Sequence, residues 1–308
     1  MTLLFLKEPE HPAGIPEEIK KHLPDLTIRV FPDVGDPHKV KYLLGYAPPA
    51  NLLTSMPNLE LIFSTGAGAD ALLAVPSLPA VPIIRMVDAG LSRLIAHYAL
   101  AQVLFWLRDG PLYAVQQRER KWDPHPIREV DTIRIAVLGL GAVGREVAET
   151  LRKVGFNVMA WTRETKANEA ISTFHGEGGL RELLPQANFL VSALPLTDAT
   201  RGILDRRTLS QLPRGAVVIN LGRGAHLVDA DLLGLLNDAH LGGATLDVFQ
   251  SEPLPQQHPF WSHPRVVVTP HVAGVISARG MANVVVEELS RYRAGEPLRF
   301  AVDRAHGY

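Results

Sequence analysis

Residues 133–144 constrain the fold of this chain more than any other stretch. An apolar run ends at Leu138 and is followed at once by Gly139-Leu140-Gly141-Ala142-Val143-Gly144. Beyond the last glycine, apolar residues recur at the spacing of one helix face. The stretch therefore predicts a buried parallel strand, a glycine turn and a helix, which is the opening unit of a doubly wound α/β fold.

The three glycines of this turn have separate physical tasks. They allow a tight turn, a close approach of the backbone to a pyrophosphate, and close packing of the helix on the strand. The helix then directs its unpaired N–H groups and the positive end of its dipole at the phosphates. Glycine-rich turns also occur for packing alone, but the flanking strand and helix favour a dinucleotide site. The predicted contacts are Gly139, Gly141, Ala142, Val143 and Gly144.

The tip of the second strand predicts which dinucleotide binds. This strand covers residues 157–161 and runs into Thr162 and Arg163, where an acid would normally hold the ribose 2′-hydroxyl. A guanidinium beside a hydroxyl suits a 2′-phosphate instead, so NADPH is the expected cofactor and NADH the second choice. The alternative is that Arg163 is a solvated loop residue and Glu164 supplies the acid.

Four further apolar runs continue the doubly wound pattern. They are predicted as strands over residues 189–193, 216–221, 244–249 and 266–269, with helical stretches between them. In such a sheet, ligands bind beyond the carboxyl ends of the strands. The cofactor contacts predicted at these ends are Leu194, Pro195, Leu221, Asp247 and His271.

Three of these strand ends also carry residues suited to catalysis. Arg223 follows the second of the four runs, Glu252 follows the third, and His271 follows the fourth. An arginine can pair with a substrate carboxylate and polarise the adjacent carbonyl. A histidine can donate a proton to a forming alkoxide if a carboxylate keeps its pKa high.

Each of these three residues also has an ordinary explanation. Arg223 could form a surface ion pair, Glu252 could be a turn acid before a proline, and His271 could be a loop histidine. Their joint placement at consecutive strand ends favours a catalytic set, because the carboxyl ends of parallel strands meet at one edge of the sheet.

The first part of the chain predicts a smaller α/β domain. Short strands and helices alternate between residues 3 and 63 and end in the small-residue loop 64–70. That loop either presents N–H groups to an anion or is a tight turn. Long helical patterns over residues 91–107 and 276–294 predict crossings between two domains, so the first domain is expected to be discontinuous in sequence.

Composition excludes several classes of protein. The chain has 308 residues, a formal net charge of −1 and no basic block, so neither nucleic acid nor an anionic membrane is an expected partner. It has no cysteine, which excludes disulfides, thiolate catalysis and cysteine-ligated zinc; no metal site is predicted. The first apolar run is too short for a signal peptide and no run spans a membrane, which predicts a cytoplasmic enzyme.

The chain resembles the D-2-hydroxyacid dehydrogenases, most closely their glyoxylate/hydroxypyruvate reductase A branch. The matching stretches are GLGAVG at 139–144, NLGRGAHLVD at 220–229, GATLDVFQSEPLP at 243–255 and HPRVVVTPHVAG at 263–274. The resemblance covers most of the chain from about residue 90 onward, and the order and spacing of these motifs are specific.

The resemblance implies roles for individual residues. It implies that Arg223, Glu252 and His271 form the catalytic set and that Asp247 lies by the nicotinamide carboxamide. It also implies that loop residues 65–69, with Ala67 and Gly68, give N–H groups to the substrate carboxylate, which Arg223 and His271 also contact. In this branch an aromatic residue often stands over the substrate near the position of Tyr46, although Tyr46 could simply belong to the core.

The resemblance also implies the architecture and the reaction. A flavodoxin-like substrate domain would comprise residues 1–92 and 276–308, and a Rossmann NAD(P)-binding domain residues 93–275, with the active site in the cleft and a homodimer formed through the nucleotide domain. The expected reaction is NADPH-preferring reduction of a small 2-oxoacid, such as glyoxylate or hydroxypyruvate. Two alternatives stay open, namely reduction of bulkier acids such as phenylpyruvate and a non-catalytic NAD(P)H sensor on the same fold.

Overall fold

The protein, seen in a computed structural model, is described over residues 1–9, 11–163 and 171–308. Glu164, the alternative acid at the tip of the second strand, lies outside the described residues. The chain forms two compact units. Unit 1 comprises Met1–Leu91 and Ile276–Tyr308, and unit 2 comprises Ser92–Val275.

Unit 1 is built on a parallel sheet of five strands. Its elements up to the first long helix are β1 (Thr2–Phe5), α1 (Ile15–His22), β2 (Thr27–Val30), β3 (Val40–Leu44), α2 (Ala50–Thr54), β4 (Leu61–Phe63), α3 (Asp70–Leu73) and β5 (Ile83–Ile84). The strand order is β2-β1-β3-β4-β5, and every pair is parallel. This is the flavodoxin-like order of a doubly wound sheet.

Unit 2 is built on a parallel sheet of seven strands. The elements are α4 (Ala89–Leu107), which begins in unit 1, α5 (Gly110–Glu119), β6 (Arg134–Leu138), α6 (Ala142–Val154), β7 (Asn157–Thr162), β8 (Ser172–His175), α7 (Gly176–Leu183), β9 (Phe189–Ser192), α8 (Arg206–Leu209), β10 (Ala216–Asn220), α9 (Asp229–Asn237), β11 (Leu241–Leu246) and β12 (Val266–Val268). The order β8-β7-β6-β9-β10-β11-β12 is the Rossmann order extended by one strand. The predicted doubly wound α/β class is confirmed.

Both faces of the unit 2 sheet are buried, which explains why its strands read as continuous apolar runs. Along β6, Ala136 and Leu138 pack into one hydrophobic cluster, whereas Ile135 and Val137 pack into the cluster on the opposite face. The second cluster also receives the apolar face of α6. The strand before the glycine turn is therefore fixed from both sides, and its carboxyl end has a defined position.

Unit 1 is completed by the last helix, α10 (Ala278–Ala294), which packs against α1. The Ser277 side chain caps this helix by accepting the N–H of Gly280 at 3.0 Å. Beyond the helix, Ala301 forms an antiparallel bridge with Ile84 beside β5. Two segments far apart in sequence therefore share one core.

The structure corrects three expectations from the sequence. The predicted strand 244–249 was wrong at both ends, because β11 begins at Leu241 and ends at Leu246. Asp247 lies just beyond the strand. Helix α5, which continues to Glu119, was not predicted. The pair β8 and α7 was missed. In the described ranges, no helix has the length and apolar character needed to cross a bilayer.

The glycine turn generates a stability prediction. A Cβ on Gly144 would lie 1.9 Å from the carbonyl oxygen of Gly139, whereas a Cβ on Gly141 would meet no atom within 4 Å. Gly144→Ala should therefore lower the free energy of unfolding by about 1–3 kcal/mol, the usual effect of overpacking. Gly141→Ala, the matched control, should lower it by less than about 1 kcal/mol, because it replaces only a helix N-cap glycine. Denaturant unfolding of both variants checks this, and equal losses would contradict it.

Candidate active site

The glycine turn fits a bound pyrophosphate. Gly139 has φ +96° and donates its N–H to the carbonyl of Trp161 at 2.8 Å, which fixes the turn between β6 and α6 against the end of β7. Gly141 is the N-cap of α6, and the space where its Cβ would lie is open. The first turn of α6 carries no acidic residue, so no side-chain charge in that turn offsets the positive end of its dipole. An anion can approach the backbone here.

Thr162 and Arg163 stand at the carboxyl end of β7, as expected. Thr162 is the last residue of the strand; it is buried, and its hydroxyl lies 2.9 Å from Nδ1 of His175 at the end of the neighbouring strand β8. Arg163 follows and is exposed. The described residues at this tip, through Arg163, include no acid.

Glu252 and His271 form a hydrogen-bonded pair. Nδ1 of His271 lies 2.8 Å from Oε2 of Glu252, while Oε1 of Glu252 accepts the N–H of Phe249 at 2.8 Å. The carboxylate is thus held by a backbone donor on one oxygen and by the imidazole on the other. The side chains of His271 and Glu252 are 50% and 37% exposed, so the pair remains open to a small molecule.

The pair shifts the pKa of both partners in favour of the charged forms. The hydrogen bond to Glu252 raises the pKa of His271 above its ordinary value, against burial and the charge of Arg223, which lower it. Burial alone would raise the pKa of Glu252, but the bonds from His271 and Phe249 outweigh burial and lower it. An imidazolium beside a carboxylate is the arrangement that a proton donor requires.

Asp247 holds the loop that carries His271. Asp247 is 1% exposed, and its carboxylate accepts three hydrogen bonds, from the Thr269 hydroxyl at 2.6 Å and from the N–H groups of Val272 and Ala273 at 2.9 Å each. The N–H of His271 donates to the carbonyl of Asp247 at 2.8 Å. His271 itself has φ 55°, a left-handed conformation that is unfavourable for a residue with a side chain. Asp247 therefore fixes both flanks of the strained backbone at His271.

Tyr98 extends this network into α4. Its hydroxyl lies 2.6 Å from the hydroxyl of Thr269, which in turn donates to Asp247. Burial raises the pKa of Tyr98 to about 12, so the phenol stays protonated at neutral pH. The Asp247 carboxylate thus reaches α4 through two hydroxyl groups.

Arg223 lies in a backbone framework built by its neighbours. The N–H of Arg223 donates to Nδ1 of His226 at 3.0 Å, and its carbonyl accepts the side-chain amide of Asn220 at 3.0 Å. The guanidinium donates to the carbonyl of Gly222 at 2.9 Å. Its charge lowers the pKa of both Glu252 and His271, so the arginine acts electrostatically on the pair.

Leu194, Pro195 and Leu221 occupy the strand ends between the glycine turn and Arg223. The Leu194 side chain borders the turn, since a Cβ on Gly139 would lie 3.3 Å from it. The carbonyl of Pro195 accepts the Thr200 hydroxyl at 2.7 Å. The N–H of Leu221 donates to the carbonyl of Ser192 at 2.9 Å. These residues continue the same edge of the unit 2 sheet.

Unit 1 presents its own predicted residues at the carboxyl ends of β3 and β4. Tyr46 follows β3 and is only partly buried; its hydroxyl donates to Asp70 at 3.1 Å, so it is not simply a core residue. The loop after β4 is closed by the Ser64 hydroxyl, which donates to the carbonyl of Gly68 at 2.8 Å. Within the described part of the chain, the N–H groups of Ala67 and Gly68 donate no hydrogen bond. They can therefore bind an anion.

Several residues of the site escaped prediction from sequence. They are Tyr98, Asn220, His226 and Thr269. Asn220 and His226 carried a weak signal, because both flank Arg223 in a short turn of small residues. Tyr98 carried none, since a tyrosine on a long apolar helix reads as core.

A dinucleotide turn, an arginine and a carboxylate-supported histidine along one sheet edge define a nicotinamide-dependent dehydrogenase. Among residues 1–9, 11–163 and 171–308, no cluster of side chains is suited to a metal ion. One family model matches residues 100–273, and its description is D-isomer specific 2-hydroxyacid dehydrogenase, NAD binding domain. The chain belongs to this family, which confirms the resemblance seen in its motifs.

Relatives match over nearly the whole chain. A glyoxylate/hydroxypyruvate reductase A from Klebsiella pneumoniae (strain 342) is 38% identical over 297 residues, 94% of this chain and 95% of the relative. A D-isomer specific 2-hydroxyacid dehydrogenase from Xanthobacter autotrophicus Py2 was solved with NADPH and MES. It has a TM-score of 0.96 at 38% identity, and the match covers 100% of this chain and 99% of the chain of that structure. An NADPH-dependent glyoxylate/hydroxypyruvate reductase from Sinorhizobium meliloti, solved with NADP and sulfate, has a TM-score of 0.94 at 32% identity and covers 100% of both chains.

The Glu252–His271 pair generates a titration prediction. Glu252→Gln removes the negative charge that holds the imidazolium, while burial and the charge of Arg223 remain, so the pKa of His271 should fall. NMR titration of the His271 ring measures the shift directly. Glu182→Gln, which changes an exposed glutamate of the same unit, serves as the control and should leave the titration unchanged.

The same variant should change how stability depends on pH. A raised His271 pKa stabilises the folded state below the ordinary histidine pKa, and this stabilisation disappears as pH rises through the folded value. A lowered Glu252 pKa stabilises it above the ordinary glutamate pKa and is lost on acidification. Glu252→Gln should therefore cost stability most between these two ordinary values. An unmoved His271 titration would contradict the pairing.

Proposed function

We propose that the chain is an NADPH-preferring reductase of small 2-oxoacids of the glyoxylate and hydroxypyruvate type. The observation that carries this proposal is the Glu252–His271 pair, placed with Arg223 on the sheet edge that also bears the glycine turn. Family membership and relatives described as NADPH-dependent glyoxylate/hydroxypyruvate reductases support it.

The side chains divide the work of the reduction. The Arg223 guanidinium binds the substrate carboxylate and polarises the neighbouring carbonyl. Because Glu252 engages Nδ1 of His271, Nε2 is the nitrogen that donates a proton to the carbonyl oxygen. Bound NADPH would supply a hydride for the carbonyl carbon. One 2-oxoacid, one NADPH and one proton thus give one 2-hydroxyacid and NADP⁺.

Unit 2 is the proposed cofactor domain. The pyrophosphate would lie at the glycine turn, where the backbone is open and the α6 dipole is uncompensated. Arg163 with the neighbouring Thr162 would hold the 2′-phosphate. Leu194, Pro195, Leu221 and Asp247 complete the proposed set for the rest of the dinucleotide.

Unit 1 is the proposed substrate domain. The N–H groups of Ala67 and Gly68 would bind the substrate carboxylate, and Tyr46 would limit the size of its side chain. Residues 1–92 and 276–308 would then serve the substrate and residues 93–275 the cofactor. The cytoplasmic location expected from the sequence stays a prediction.

The first experiment measures oxidation of NADPH and of NADH with glyoxylate, hydroxypyruvate, pyruvate and phenylpyruvate. We expect turnover with the small acids and a lower KM for NADPH than for NADH.

His271→Asn should lower kcat by about 100-fold or more while NADPH still binds, because it removes the proton donor. Arg163→Ala should raise the KM for NADPH about tenfold, the effect of losing one charge-assisted hydrogen bond, and leave that for NADH unchanged.

The outcomes of this panel separate the alternatives. Preference for phenylpyruvate would indicate a larger pocket, and preference for NADH would refute the role of Arg163. NADPH binding without turnover of any acid would favour a sensor. In the reductive direction, kcat/KM should fall as pH rises through the raised pKa of His271, because the donor must be protonated.

We further propose that the protein is a homodimer formed through α4, α5 and the following segment 120–128. These elements expose Phe105, Leu112, Tyr113, Trp122 and Ile127, and the last two are 97% and 67% exposed. The segment is held on α5, since the N–H of His125 donates to the Tyr113 hydroxyl at 2.9 Å. Exposed apolar clusters of this kind mark interaction sites. The family resemblance implies dimers through the nucleotide domain.

Light scattering tests the dimer. The wild-type protein should have twice the 33.7 kDa mass of the chain, and Trp122→Glu combined with Ile127→Glu should give the monomer. Val154→Glu, which changes an exposed apolar residue at the end of α6, is the matched control and should leave the mass unchanged. A monomeric wild-type protein would refute the proposal.

A further inference from the structure

His226 is a fully buried histidine that the reaction scheme above leaves unused. It lies three residues beyond Arg223, in the short turn that follows β10, and none of its surface is exposed. Nδ1 of its ring accepts the N–H of Arg223 at 3.0 Å, and Nε2 lies 3.2 Å from the carbonyl oxygen of Pro195. One ring thus joins a residue after β9 to a residue after β10.

The two partners fix the tautomer of the His226 ring. A backbone N–H can only donate and a carbonyl can only accept. Nδ1 must therefore carry the lone pair and Nε2 the proton, which is one neutral tautomer of the three states a histidine can adopt. In a protonated ring, Nδ1–H would face the N–H of Arg223, and the link would break.

The surrounding backbone is shaped around this ring. A Cβ on Gly222 would lie 2.8 Å from the His226 ring and 3.0 Å from the carbonyl of Leu194, so only glycine fits there. Asn220 holds the carbonyl of Arg223 while His226 holds its N–H. Both polar groups of the Arg223 backbone are thus bound by side chains, and the His226 link continues to the strand end of β9.

We propose that His226, as the neutral Nε2–H tautomer, is a positioning residue that sets Arg223 at a fixed distance from the Pro195 segment. This inference rests on the proposed function, in which Arg223 binds the substrate carboxylate and Pro195 borders the cofactor. The ring then links the group that orients the acid to the segment that orients the dinucleotide. A displacement of about 1 Å in such an arrangement can reduce kcat/KM about 100-fold.

Two variants separate the hydrogen bonds from the shape of the ring. His226→Phe keeps a ring of similar size and loses both bonds, whereas His226→Gln keeps one acceptor and one donor. We expect kcat/KM for glyoxylate to fall about 10- to 100-fold in His226→Phe, with most of the loss in KM, and to be partly restored in His226→Gln. NADPH affinity should stay within about threefold of wild type, since the Pro195 carbonyl still accepts the Thr200 hydroxyl at 2.7 Å when the His226 bond is lost.

His240→Phe is the matched control. His240 belongs to the same unit but precedes β11, at the opposite end of that strand from Asp247. Its substitution should leave kcat/KM unchanged. A purely structural role for His226 would lower the melting temperature without raising KM, and that result would overturn the proposal.

A double-mutant cycle tests whether His226 acts through Arg223. If it does, adding His226→Phe to Arg223→Ala should cause no further loss in kcat/KM, whereas additive losses would overturn the proposal. If His226→Phe does not fold, the same cycle with His226→Gln decides.

Two measurements do not depend on turnover. Oxalate, a non-reducible dicarboxylate, should bind the NADPH complex about tenfold more weakly in His226→Phe than in wild type. Nitrogen NMR of the ring should show a proton on Nε2 alone, and a proton on Nδ1 would overturn the proposal. A wild-type protein that turns over no 2-oxoacid would refute the proposed function, and the oxalate and NMR results would still judge the role of His226.

Discussion

The buried carboxylate of Asp247 is the constraint on which the rest of the site depends. A charge that is 1% exposed is unfavourable unless donors replace the lost water, and here one hydroxyl and two backbone N–H groups do so. Those donors all belong to residues 269–273, so stabilising the carboxylate also fixes the loop that carries His271. The left-handed backbone of His271 is retained because the groups on both sides of it are already bound.

The charges of the site oppose one another in a useful way. Glu252 and Asp247 favour the protonated form of His271, whereas Arg223 disfavours it. A histidine held only by carboxylates would release its proton reluctantly, and one beside an arginine alone would not hold it near neutrality. The combination suits a donor that must be charged before the reaction and neutral after it.

Much of this architecture could be predicted from the sequence, and the failures have physical causes. The glycine turn and the strand-end residues Arg223, Glu252 and His271 were predictable, because their signals are local and their order follows from a parallel sheet. The strand β8 was missed because Ser172–His175 is a half-exposed edge segment with no apolar run, and α7 because it contains glycines that disfavour helix.

The partners of the site residues were harder to predict than the residues themselves. His226 meets Pro195 only because β9 and β10 pair in a particular register, and a single sequence carries no sign of that pairing. Tyr98 meets Thr269 across 171 residues of sequence. Asp247 was placed within a strand, although it begins the loop after β11; its role as an anchor follows from bonds to residues that lie 22 to 26 positions later.

The division of unit 1 into two segments has a consequence for synthesis on the ribosome. Domains generally fold as units, the N-terminal one first. Here, however, unit 1 begins before unit 2 and is completed after it, because α1 packs on α10 and β5 bridges to Ala301. Unit 2 is continuous and can complete its core while residues 1–91 still lack their partner segment. The nascent N-terminal segment must therefore remain free of aggregation, on its own or with a chaperone, for as long as the remainder of the chain takes to be translated.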